Sequence, residues 1–143
     1  MDRYINSASF NMVHLCVNEY NGYTLKGVAY NNTIKDKIEF NDIKDLILKL
    51  DKMFDVNGNP FSSEEKRSFK KESMKEIVYQ NKPAIVNNYC DFLEIDGKLG
   101  SIDIIVKTRL FSNWQGIIFY EDQQESFKDV VDLIEKVVFF LKL

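Results

Sequence analysis

Histidine and tryptophan each occur once in this sequence, and cysteine and proline twice each in 143 residues. A single histidine, His14, cannot furnish a histidine-based metal site by itself. Two cysteines, Cys16 and Cys90, do not make a disulfide framework; each lies in an apolar run, so two buried thiols in a cytoplasmic protein are expected. Charge of one sign is also missing. With 19 basic against 22 acidic residues the formal net charge is −3, without the basic bias of a general nucleic-acid binder and too mild for a polyanion mimic. No Gly-rich phosphate loop, nucleophile elbow or paired-carboxylate motif occurs. The opening MDRYINSASF has no apolar core of a signal peptide, and the closing VVFFLKL is too short to span a bilayer, so neither export nor membrane insertion is expected. What is present is apolar material: 45% hydrophobic and 13% aromatic residues suffice for one compact domain over 1–143 with a sizeable core.

The stretch MFDVNGNPFSSEE starts like a calcium loop. Asn57 and Asn59 fit the third and fifth ligand positions counted from Asp55, but Pro60 stands where the sharp turn needs glycine and Lys66 where the bidentate glutamate belongs. Proline cannot take the positive φ of that turn, and an ammonium repels the ion. Asn57-Gly58-Asn59-Pro60 therefore reads as a helix stop and turn, and neither metal nor cofactor is expected.

The chain repeats itself. FNDIKDLILKL (Phe40–Leu50) aligns without gaps on FKDVVDLIEKV (Phe127–Val137), with six of eleven positions identical and apolar residues at helical spacing in both. The match extends backwards when Gly27 is placed on Gly116: Val13, Leu15 and Val17 then fall on Ile102, Ile104 and Val106, the alternation of a strand with one buried face. Each copy runs strand, polar kink, strand through the glycine, loop and helix, with a third short strand as an option. The loop before the helix is two residues longer in the first copy. The expected fold is α+β with mainly antiparallel sheet: repeat unit 1 over about 10–54, a connector over about 55–97, and repeat unit 2 over about 98–143, both around one core.

In the connector, Ser62 and Glu65 have capping-box spacing, predicting a short polar helix or an exposed loop. AIVNNYCDFLEI followed by Asp96-Gly97 predicts an extra strand and a tight hairpin. The only basic cluster, Lys66, Arg67, Lys70, Lys71 and Lys75, is interleaved with Glu64, Glu65, Glu72 and Glu76, as on a solvated surface; it is also the candidate phosphate-binding patch. His14 and Cys16, two apart on a strand, point to one face and form a candidate nucleophile–base or metal pair, against ordinary strand packing. Their counterparts in the second copy, Asp103 and Ile105, share no such chemistry. The acidic pairs Asp42/Asp45 and Asp129/Asp132 complement the helix dipole and would repel phosphate from the helix starts.

Where the copies differ, a special role is expected. Val131, Val138 and Phe139 replace Lys44, Asp51 and Lys52, which widens the apolar arc of the second helix. This helix is either the more central one or half of an interface, with a homodimer as one form of the latter. Trp114 replaces Leu25 and is either a core plug or an aromatic anchor for a partner.

Arg109 on a strand, a short kink ending Ser112-Asn113-Trp114-Gln115-Gly116, and a helix beginning Ser126-Phe127 resemble a group of small proteins of anaerobic Firmicutes in which Ser-Trp-Gln-Gly recurs; here Asn113 interrupts that run. The resemblance covers most of the chain and implies a bacterial or mobile-element cytoplasmic protein, with no activity to carry over. The functional expectation is a non-enzymatic protein-binding module, an adaptor or inhibitor of the anti-CRISPR kind, with Trp114, Val131, Val138 and Phe139 as candidate contact residues. The alternative is an antitoxin-type nucleic-acid binder, since strand-strand-strand-helix units are similar to those of HicB-type antitoxins. A third reading is a thiol- or metal-dependent enzyme using His14 with Cys16 or Cys90.

Overall fold

The computed structural model describes residues 10–58, 85–86, 91–110 and 113–143. Cys90, the capping-box segment at Ser62, the cluster Lys66, Arg67, Lys70, Lys71 and Lys75, and Ser112 lie outside the described residues. The chain forms β1 (Met12–Tyr20), β2 (Leu25–Tyr30), β3 (Ile38–Phe40), α1 (Ile43–Asn57), β4 (Gly100–Leu110), β5 (Asn113–Tyr120), β6 (Gln123–Phe127) and α2 (Val130–Leu141). Among the described residues these six strands form one antiparallel sheet in the order β3-β2-β1-β4-β5-β6, so the first strand of each half meets the other at the centre.

Period-two alternation sorts the two faces. Val13, Leu15, Val17, Ile102, Ile104 and Val106 point to one side, where they pack with Leu46, Leu50 and Phe54 of α1 and Leu133, Val137 and Phe140 of α2 in the main core. The opposite face carries a smaller cluster of Met12, Ile105 and Phe119 under Phe92. His14, between Met12 and Cys16 on β1, shares that second face.

The two halves match in local detail. Both first strands carry a bulge-type register shift, between Val17 and Glu19 and between Val106 and Thr108. Both helices start on an extended aspartate, Asp42 or Asp129, whose carboxylate accepts from the backbone amide three residues on at 2.7 Å. In both, the first-turn aspartate reaches back to an amide and forward to a lysine. The Asn41 amide, then Lys49, holds the Asp45 carboxyl below its usual range; for Asp132 it is Lys136, then the Lys128 amide. At Gly27 and Gly116 a Cβ would collide with the backbone of Cys16 and Ile105 respectively, so only glycine lets these strands approach.

Three expectations need correction. Phe40 and Phe127 end strands rather than start helices, because the capping aspartates two residues later define the helix boundary. Asp96-Gly97 is not a hairpin, and the described residues 91–99 form no strand. Side-chain bonds hold this segment instead: Lys98 N donates to Asn18 Oδ1 at 2.9 Å and Gly97 N to Ser101 Oγ at 3.0 Å, before Leu99 N joins Val17 O at 2.9 Å. Helix α1 does stop at Gly58, whose φ of 69° is the left-handed cap anticipated for Asn57-Gly58.

Candidate functional site

Trp114 is fully buried, which places it in the core rather than on a partner-facing surface. Its indole Nε1 donates to Asp51 Oδ1 at 2.9 Å, and its ring meets Phe54 edge-on at 5.7 Å. Arg109, 3% exposed, lies against the same helix: it pairs with Asp55 at 2.9 Å and Asp51 at 3.3 Å and stands over the Phe54 ring at 5.5 Å. Arg109, Trp114 and Asp51 are thereby linked. Strands β4 and β5 present Arg109 and Trp114 to Asp51 of α1, whereas the matching positions of the other half hold Tyr20, Leu25 and Val138. One side of the core is cross-linked by this polar cluster, so Trp114 and Asp51 serve internal packing. The signal in the sequence that could have pointed to this contact is Trp114 aligned with Leu25 together with Asp51 aligned with Val138.

His14 and Cys16 do share a face, as alternation required. His14 is 2% exposed, with Nδ1 2.8 Å from Asp103 Oδ1 and Nε2 2.7 Å from the Ile95 carbonyl. Both neighbours are acceptors, so both ring nitrogens donate and the ring is an imidazolium. Burial by itself would lower its pKa; hydrogen bonds with Asp103 and Cys16, the Asp103 charge and the Ile95 carbonyl more than offset this, and the pKa is pushed up to about 10. Cys16 Sγ donates to the same Ile95 carbonyl at 3.3 Å, as does Ser101 Oγ at 3.1 Å. A ring with no free lone pair neither deprotonates Cys16 nor ligates a metal, so the pair is wired for packing. Sequence reasoning missed Asp103 as the partner, although the alignment makes it the counterpart of His14.

The wider apolar arc of α2 divides. Val137 and Phe140 are buried, Val138 is half-buried, and Val131 and Phe139 stand out at 66% and 70% exposure. A second feature lies at the other end of the molecule. There the β2–β3 connection, β3 and α1 enclose an open groove of about 630 Å³, lined by apolar residues, four lysines, Asp36 and Glu39, with Thr33 and Asn57. Among the described residues no group of three or more potential metal ligands occurs, and no helix is long and apolar enough to cross a membrane. In comparisons with known proteins, no family model, no curated protein and no solved structure matches the chain.

Proposed function

We propose that the chain is a non-enzymatic protein-binding module, an adaptor or inhibitor, formed by two fused copies of a strand-strand-strand-helix unit. The observation that carries the binding reading is the pair Val131 and Phe139 on α2, two large apolar side chains left mostly in water. The equivalent positions of α1 hold Lys44 and Lys52, as an ordinary solvent-facing ridge would. Replacing two lysines by valine and phenylalanine on an outer helix face adds exposed apolar area that folding does not use, and such area is what a partner buries.

The fused-copy reading is supported by the matched bulges, caps and glycine contacts. It is supported also by the central pairing of β1 with β4. There His14 stands opposite Asp103, and the alignment that places Gly27 on Gly116 makes these two residues each other's counterparts. Two units related by a two-fold axis through that pair have this register. In a symmetric dimer of separate units, both residues at the axis would be identical. Fusion allows one to become a cation and the other an anion.

The test is the Val131→Asp, Phe139→Asp double variant, examined by light scattering at several concentrations and by affinity capture with mass spectrometry. Both side chains are exposed, so the variant is expected to fold with an unchanged circular dichroism spectrum. A specific partner retained by the wild type and lost by the variant supports the reading. Self-association lost in the variant makes a second copy the partner. Capture indifferent to both substitutions refutes it.

A further inference from the structure

We infer that the groove between the β2–β3 connection and α1 is a docking site for an acidic segment of a partner protein, one that inserts an apolar side chain between carboxylates. This rests on the protein-binding reading but places a contact on a different part of the surface from α2.

The groove lies beside the longer of the two strand connections. Residues 31–37 connect β2 to β3, whereas Glu121-Asp122 alone connect β5 to β6. Side-chain bonds fix the longer connection. Buried Asn31 donates from Nδ2 to the Met12 carbonyl at 2.8 Å and accepts at Oδ1 from the Thr33 amide at 2.8 Å. Asn57 at the end of α1 donates to Thr33 Oγ1 at 3.0 Å. The loop is thereby held open against the helix as a formed wall. In the other half Tyr120 aligns with Asn31 and Phe140 with Met53, and the two rings stack at 5.6 Å.

The lining states what fits. Its apolar part is Ile34, Ile38, Met53 and Val56, the last of them 75% exposed. Around it stand Lys35, Lys37, Lys49 and Lys52, against Asp36 and Glu39, on a chain whose overall charge is −3. Lys49 is engaged, donating to the Glu39 carbonyl at 2.7 Å and to Asp45 at 3.2 Å. Lys37 and Lys52 have no hydrogen-bond or ion-pair partner among the described residues. An excess of cations round an apolar floor on an acidic protein is complementary to carboxylates flanking an aliphatic or aromatic anchor. Nucleic acid is disfavoured by the same lining: among the described residues it holds no aromatic ring on which a base could stack.

The experiment uses fluorescence anisotropy with the full chain and a labelled twelve-residue peptide of glutamates carrying two leucines. Three control probes are added: the same peptide with leucines changed to serine, one with glutamates changed to lysine, and a twelve-nucleotide oligothymidylate. The wild type is expected to bind the acidic leucine peptide, less tightly as salt rises, and none of the controls. Lys37→Glu, Lys52→Glu should weaken binding at least about tenfold, by turning attraction into repulsion. Val56→Asp should act similarly, and all three substituted side chains are exposed enough for the variants to fold. Val131→Asp, Phe139→Asp should bind the peptide like the wild type, so failure here and failure of the α2 reading are separately visible. The inference is overturned by absence of peptide binding, by equal binding to the Lys37→Glu, Lys52→Glu variant, by equal binding of the serine control, or by preference for the oligonucleotide.

Discussion

The buried His14–Asp103 pair makes the folded state sensitive to alkaline pH. In the unfolded chain the imidazole titrates at its ordinary value of 6.5, and in the folded protein at about 10. Because the folded value is the higher, unfolding releases one proton at pH values between the two. The stabilisation is complete below about 6.5 and is lost as pH rises towards about 10. A tenfold difference in proton affinity corresponds to about 1.4 kcal/mol, so the pair is linked to at most roughly 5 kcal/mol, of which about 3 kcal/mol disappears between pH 6.5 and 9. That is a large part of the ~5–15 kcal/mol that holds a domain of this size folded. It should lower Tm by about 6–12 °C. Tyr30, raised above its usual range by burial and then by Cys16, and Lys136, raised by Asp132, titrate beyond this window. The assay is urea denaturation followed by tryptophan emission at half-unit steps from pH 6 to 9, on the wild type and on His14→Gln. The wild type should lose about 1.4 kcal/mol per pH unit relative to the variant. Parallel stability curves for the two proteins would refute the imidazolium assignment.

Other substitutions probe the fold and its polar cluster. Asp42→Ala and Asp129→Ala each remove an N-cap bond and should cost about 1 kcal/mol in denaturant titrations; no measurable loss would contradict the capping role. Gly27→Ala and Gly116→Ala force a Cβ into a backbone carbonyl and should cost more than about 2 kcal/mol or prevent soluble expression, whereas a wild-type Tm would show that the strands separate freely. Trp114 should emit at short wavelength and resist iodide quenching. Trp114→Phe, which also orphans Asp51 Oδ1 from its indole donor, should lose about 1–3 kcal/mol in urea titrations. Arg109→Ala should cost about 2 kcal/mol by the same titrations, less than for a fully buried pair, because Asp51 and Asp55 are 29% and 48% exposed and rehydrate.

Local pattern determined much of this molecule. Alternation in Val13–Val17 and Ile102–Val106 gave the buried strand faces, helical spacing gave the core side of α1 and α2, and Gly58 marked a helix end, because each depends on residues within a few positions of one another. The same pattern misled at Phe40 and Phe127, whose helical spacing could not show that an aspartate cap two residues later ends the strand. It misled again at Asp96-Gly97, where Asn18, 80 residues before Lys98, and the side chain of Ser101 hold the turn without a strand. That Trp114, Asp51 and Val138 differ from the residues aligned with them was visible, but not the reason. Only tertiary structure brings Arg109 and Trp114 of one half onto α1 of the other, joins β1 to β4 so that His14 meets Asp103, and leaves Val131 and Phe139 in water while burying Val137 and Phe140. The physical reason is range: alternation and capping are settled within one or two turns of chain, whereas burial and ion pairing depend on which distant surface arrives.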